Sequence, residues 1–289
     1  MNVSSGEAST GPGWVVVTPA SVGEPVGDGG GGSGGPPPSG PPLPTWPPPP
    51  PSAPGCSDVA IYGVRGSGEP YNADYVGMGS TVHKVARRLA HAILSKDRVF
   101  QVGVPYLAAP AWLAAFGGMG KGKYNESVEV GAELLVVGRN ADGGVTPFEG
   151  ISRLVSRCPH VKIVLIGLSQ GAQVITTALA QAGRPGPVTS RIRAILLYGN
   201  PVRLRNLPYD VGTNTHDGIL SDGGLQPGGI AERLPRFLWS RTRSYCLDHD
   251  PICAFSPADF AAESERHIHT SYGHSRFVKQ GVEFAARRL

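Results

Sequence analysis

The segment VKIVLIGLSQGAQVITTALA, residues 161–180, constrains the fold more than any other part of this chain. It reads as an apolar buried strand, then the tight turn Gly167-Leu168-Ser169-Gln170-Gly171, then a helix that Gly183 and Pro185 stop. A strand with no polar alternation belongs in a parallel sheet covered on both faces. The same alternation of strand and helix recurs from Cys56 onward. Strands are expected over 58–64, 99–104, 161–166 and 194–198, and helices over 81–94, 124–137, 171–182 and 277–288. The fold class expected is therefore α/β, a three-layer sandwich with a central, mainly parallel sheet flanked by helices.

Residues 1–55 do not continue this pattern. Much of the excess in 41 Gly and 28 Pro sits there, ending in GGPPPSGPPLPTWPPPPPSAPG. Such a stretch buries too little apolar surface to offset its ordering entropy, so a disordered, extended spacer over 1–55 and one domain over 56–289 are expected. The net charge of +4 is scattered, apart from Arg287 and Arg288, and leaves no stripe for nucleic acid. No run approaches the roughly 18 apolar residues of a membrane-spanning helix. The N-terminal lead has no basic region or long apolar stretch, so no signal peptide is read in it. Four cysteines, at 56, 158, 246 and 253, point instead to an oxidising compartment if they pair, with three connectivities possible.

In its strand-turn-helix context, G-x-S-x-G is a nucleophile elbow. Small residues must flank the serine because the turn is strained, and Gly167 and Gly171 meet that need. The turn exposes Ser169 at the carboxyl end of the sheet, and the amide of Gln170, in the first turn of the helix, points where an oxyanion would develop. RGSGEPY, residues 65–71, invites a reading as a phosphate-binding loop, but Tyr71 stands where the third glycine of G-x-G-x-x-G belongs. Asp248 and Asp250 compete for the acid of a triad, and His249, His267, His269 and His274 for its base. YLAAPAWLAAF, residues 106–116, reads equally as core or as the rim of an acyl-binding site.

Taken together these motifs resemble the cutinase family. GLSQGA is similar to its GYSQGA elbow, with Leu168 for the usual tyrosine. CSDVAIYGVRGS, residues 56–67, resembles the segment whose last serine gives the second oxyanion donor, here Ser67. Cys158-Pro159, Gly199-Asn200-Pro201, the C-x3-D-x2-C loop Cys246 to Cys253 and the H-x2-Y of His269 to Tyr272 fit as well. The resemblance implies the triad Ser169, Asp250, His269, in the chain order of α/β-hydrolases. It also implies disulfides Cys56–Cys158 and Cys246–Cys253, the latter holding the acid loop, where a zinc reading finds no C-x2-C spacing.

The expected activity is hydrolysis of a hydrophobic carboxylic ester, such as a polyester, lipid or cell-wall lipid ester, through an acyl-enzyme. No metal or organic cofactor is implied, and an extracellular monomer is expected. A phage lysin cleaving mycolyl-arabinogalactan esters is an alternative of the same chemistry, and a silent binding module on a Pro-rich stalk one of another class.

Overall fold

The computed structural model describes residues 10–11, 14–15 and 55–289, except 95–96, 112, 114–118, 139–147, 181, 222–233 and 263–266. Within the Gly/Pro-rich segment, the described residues form an antiparallel pair, Thr10–Gly11 with Trp14–Val15. The spacer expected there otherwise falls outside the described residues.

Among the described residues the main sheet has six strands, here β1 (Val59–Val64), β2 (Val99–Gly103), β3 (Lys162–Leu168), β4 (Ile192–Tyr198), β5 (Asp210–Val211) and β6 (Thr242–Tyr245). Their order across the sheet is β2-β1-β3-β4-β6-β5, and every neighbouring pair is parallel. Chain direction across the sheet reverses between β1 and β3, so their carboxyl ends flank a switch point, where α/β sheets open a crevice.

Alternating side chains of the central strands feed two cores. Ala60, Tyr62 and Val64 of β1, with Ile163 and Leu165 of β3, enter one, while Val59 and Ile61, with Val164 and Ile166, enter the other. Helices α1 (Ser80–Ile93) and α7 (Arg276–Ala286) pack together over the second core. The first is covered by α2 (Met119–Val137), α3 (Ile151–Arg157) and α4 (Gln170–Ala180). On α1 the buried residues Val82, Val85, Leu89 and Ile93 keep the helical spacing seen in the sequence. Two short helices, α5 (Pro187–Arg191) and α6 (Pro257–Ala261), complete the elements used below.

The expected α/β sandwich is thus the observed one, with small shifts at element ends. Helix α2 starts at Met119, ahead of the expected Tyr124, and Gly120 and Gly122 in its opening hide that start from a propensity reading. The sequence reading did not find β5, β6, α3, α5 or α6. Strand β6, TRSY, is short and half polar, yet Thr242 and Ser244 are fully buried, with Thr242 Oγ1 donating to Leu238 O at 2.9 Å.

Both disulfides are present. Cys56–Cys158, with Cα atoms 5.4 Å apart, ties the lead into β1 to the segment before β3, and Cys246–Cys253 closes the loop after β6 with Cα atoms 5.8 Å apart. Their sequence separations are 102 and 7. Since the stabilisation from a cross-link grows with the loop it closes, Cys56→Ser with Cys158→Ser should lower the unfolding free energy by about 2–4 kcal/mol. Chemical denaturation should show a smaller loss for the Cys246–Cys253 pair, and the reverse ranking would contradict this assignment.

Candidate active site

Ser169 lies between β3 and α4 with φ of +53°, a backbone region that side-chain-bearing residues rarely adopt. Its N–H donates to Tyr198 O of β4 at 2.8 Å, which anchors the turn to the neighbouring strand. A Cβ on Gly167 would stand 2.6 Å from Gly171 O, and one on Gly171 would collide with Val64 O and reach 2.5 Å from Arg65 O. Both glycines are therefore required by close approach. Helix α4 can seat against the end of β1 only because residue 171 has no side chain.

That contact brings the loop after β1 beside the elbow. Arg65 is buried and spends its donors on main-chain carbonyls: Nε to Glu69 O at 2.8 Å, Nη1 to Val104 O at 3.1 Å and Nη2 to Tyr106 O. Gly68 N–H donates to Ala108 O at 2.8 Å. Glu69 closes the loop, its carboxylate accepting from Gly66 N at 2.7 Å and Ser80 N at 3.2 Å. Burial pushes the Glu69 carboxyl above its ordinary range, against the two amides that pull it down. The carboxylate thus occupies donors that a bound phosphate would need, which removes the dinucleotide reading of this loop. Ser67 Oγ, at the tip, is buried without a hydrogen bond of good geometry, and lies near the Tyr124 phenol.

The Cys246–Cys253 loop separates the two candidate acids. Asp248 is exposed and takes a hydrogen bond from Thr213 Oγ1 at 2.5 Å. Asp250 has no exposed surface. Its Oδ1 accepts from Ile252 N–H at 2.9 Å, its Oδ2 from the Tyr272 hydroxyl at 2.6 Å, and His269 Nδ1 stands 3.1 and 3.0 Å from the two oxygens. Burial by itself would raise the Asp250 carboxyl. The His269 charge and hydrogen bond, with the Tyr272 and Ile252 donors, outweigh it and hold the group below the usual carboxylate range.

Of the four histidines considered, only His269 meets that carboxylate. His249, at φ +61°, points to Asp259 at 3.5 Å, and His267 and His274 are exposed. The imidazole lies over Gly199, where an added Cβ would come within 2.8 Å of Cε1.

Ser67, Ser169 and His269 line one cleft of about 830 Å³, at the carboxyl edge of the sheet. Among the described residues no hydrogen bond joins Ser169 Oγ to the His269 ring. Leu168, Ile219, Leu220, Ile252 and Phe260 give the cleft apolar walls. Sequence reasoning missed Ile219, Leu220 and Phe260, which lie on loops and a short helix outside any periodic pattern, and Tyr124, which it took only for a helix residue. Of 106–116, Tyr106, Ala108 and Ala109 are core and Ala111 lines the cleft, while 112 and 114–116 lie outside the described residues.

A three-layer parallel sheet with a strained serine turn at the end of a central strand is the α/β-hydrolase architecture. The chain belongs to the cutinase family, whose model matches residues 55–289. It is 30% identical over 170 residues to an acetylxylan esterase of Hypocrea jecorina, covering 55% of this chain and 49% of that protein. With carboxylesterase Culp1 of Mycobacterium tuberculosis it shares 32% identity over 139 residues, 48% of this chain and 52% of the relative. The chain thus spans about half the length of these two relatives. Its fold is that of the catalytic core domain of acetyl xylan esterase from Trichoderma reesei, at a TM-score of 0.55 and 22% identity, covering 81% of this chain and 100% of the other. No helix among the described residues is long and apolar enough to cross a membrane.

The low-lying Asp250 carboxyl sets a pH dependence. A group that titrates lower when folded than its unfolded value near 3.8 adds stability above that value and loses it as pH falls through the folded one. The stability advantage of wild type over Asp250→Asn should therefore be full at about pH 6 and reduced at about pH 3. Thermal melts at both pH values test this, and an equal difference at both would contradict it.

Proposed function

We propose that this protein is a serine-dependent carboxylic ester hydrolase, with Ser169 as nucleophile, His269 as general base and acid, and Asp250 as the acid that orients it. The single observation carrying this reading is the buried, triply hydrogen-bonded Asp250 beneath His269, whose imidazole lines the same cleft as a serine at φ +53°. Membership of a family whose relatives include named esterases supports it.

In the reaction, Ser169 Oγ bonds to the ester carbonyl carbon while its proton passes to His269 Nε2. The carbonyl oxygen becomes an oxyanion facing the Gln170 amide, left free by its place in the first helical turn, and the Ser67 donors. The tetrahedral adduct collapses, the carbon–oxygen bond to the alcohol breaks, and His269 returns the proton to the leaving oxygen. Water, deprotonated by the same imidazole, then attacks the acyl-serine; the acid departs and Ser169 Oγ regains its proton. Asp250 keeps the Nδ1 proton on its own side of the ring, so that Nε2 is free to accept.

The substrate class we infer is an ester with an apolar acyl or alcohol part, because Leu168, Ile219, Leu220, Ile252 and Phe260 line the cleft. The two disulfides support an oxidising, extracellular location.

Ser169→Ala should reduce turnover of p-nitrophenyl esters by about 10⁴-fold or more while leaving the melting curve intact. Turnover equal to wild type would reject the nucleophile. A p-nitrophenyl series from acetyl to long acyl chains, measured beside a mycolyl-arabinogalactan substrate, reads the acyl preference; specificity constants that fall as the chain lengthens beyond acetyl would reject the hydrophobic substrate class.

A further inference from the structure

The Tyr272 hydroxyl takes no part in the steps above, yet it makes the shortest polar contact on the Asp250 carboxylate. We propose that Tyr272 is a positioning residue whose phenol fixes both the orientation and the basicity of the Asp250–His269 pair. The inference rests on the triad read above.

The phenol has one hydrogen to give and two acceptors near it, Asp250 Oδ2 and, at 3.2 Å, the disulfide sulfur Cys253 Sγ, of which the carboxylate is both nearer and stronger. Leu247 N–H donates to the hydroxyl at 3.0 Å, which leaves the O–H free to point at Asp250 Oδ2, 2.6 Å away. Tyr272 is fully buried, so bulk solvent reaches neither position. Its ring is held edge-on to Tyr198 at 6.0 Å and to the His269 ring at 6.2 Å. Gly199 touches both rings: a Cβ there would lie 2.8 Å from His269 Cε1 and 2.9 Å from Tyr272 Cε2. The two residues sit on the successive 3-10 turns Ile268–Thr270 and Tyr272–His274, where positions i and i+3 share a face. The base and the phenol therefore approach one carboxylate from one short stretch of chain.

Without the phenol, the carboxylate would keep one main-chain donor, Ile252 N–H, and could turn about its own axis. The charge that the phenol draws off would also return to Oδ2, one of the two oxygens that His269 Nδ1 faces and 3.0 Å from it. Drawing charge off Oδ2 weakens the pull of the carboxylate on an imidazolium and so lets the pair give up its proton at lower pH. The other charged groups around the pair are hydrogen-bonded or ion-paired to other partners, although the Arg203 charge still acts on the Tyr272 phenol. Arg203 donates to Cys253 O at 3.2 Å and Asp210 Oδ2 at 3.1 Å, Glu69 is held by Gly66 and Ser80 amides, Asp248 by Thr213, and His249 faces Asp259. Tyr272 is thus the side-chain donor, besides His269, that a substitution can remove from Asp250.

The test is the pH profile of kcat/KM on p-nitrophenyl butyrate with the purified full chain. Tyr272→Phe should lower kcat about 10-fold with KM within about twofold, and move the acidic limb to higher pH by about half a pH unit or more. Placing 3-fluorotyrosine at position 272, which is nearly isosteric and a stronger donor, should move the limb the other way, and this arm remains decisive where Tyr272→Phe folds poorly. Tyr198→Phe removes another buried hydroxyl from the same ring cluster, one that donates to Phe277 O rather than to Asp250, and should leave the limb in place. A limb unmoved in both the phenylalanine and the fluorotyrosine proteins overturns the role of Tyr272. Asp250→Asn, measured in parallel, separates the two levels: if it keeps full activity the acid assignment itself falls, whereas if it is inactive and the limbs do not move, only the present inference does.

Discussion

The site depends on how closely α4 can approach the end of β1. Residue 171 presses on the carbonyls of Val64 and Arg65, and residue 167 on the carbonyl of residue 171, at distances that no Cβ could occupy. The turn between them can be made only by placing Ser169 in left-handed backbone, and the strain is held by the Ser169 N–H to Tyr198 O bond and by the buried strands on either side. The opening of Ser169 onto the cleft, the amide of the first helical turn beside it and the nearness of the Ser67 loop all follow from this one contact. Because β1 and β3 are neighbours from which the chain departs in opposite directions, the crevice opens at the same point.

The second half of the site is built differently, from loops. Strand β6 is only four residues long, and the loop after it is closed by Cys246–Cys253. Arg203 and Asn214 brace that loop from outside, Arg203 through Cys253 O and Asn214 Nδ2 through the carbonyls of Cys246 and Leu247. The result is a fully buried carboxylate whose hydrogen bonds compensate for its desolvation, the condition on which a buried charge can persist. Rigid helices and strands thus carry Ser169, while a cross-linked and hydrogen-bonded loop carries Asp250.

These two halves were unequally legible in the chain. Strands β1, β3 and β4 are apolar runs, and the helical spacing of Val82, Val85, Leu89 and Ile93 marks α1 directly, so the layered fold could be read from periodicity. Ser169 could be read too, since its two glycines are a steric necessity. Strand β6 could not, because Thr242 and Ser244 look like surface residues and are buried only by what the rest of the chain wraps around them. Nothing local distinguishes Asp250 from Asp248 either: both are short acids between two cysteines. Only the resemblance to cutinases favoured Asp250, and the physical difference, burial with three donors against exposure on a Thr213 hydroxyl, exists only in three dimensions. The cleft walls from Ile219, Leu220 and Phe260 lay outside any pattern, since loop residues that converge from distant parts of a sequence carry no common period.

The proposed triad shows itself most directly in the reactivity of one hydroxyl. Treating the native protein with a p-nitrophenyl alkylphosphonate, in which Ser169 Oγ would bond to phosphorus as p-nitrophenolate leaves, and mapping the adduct by peptide mass spectrometry, tests this without assuming a natural substrate. The account predicts a single adduct per chain, on the peptide containing Ser169, formed with stoichiometric loss of esterase activity and abolished by prior unfolding. An inhibited enzyme with Ser169 unmodified, or an adduct on another side chain, would contradict it.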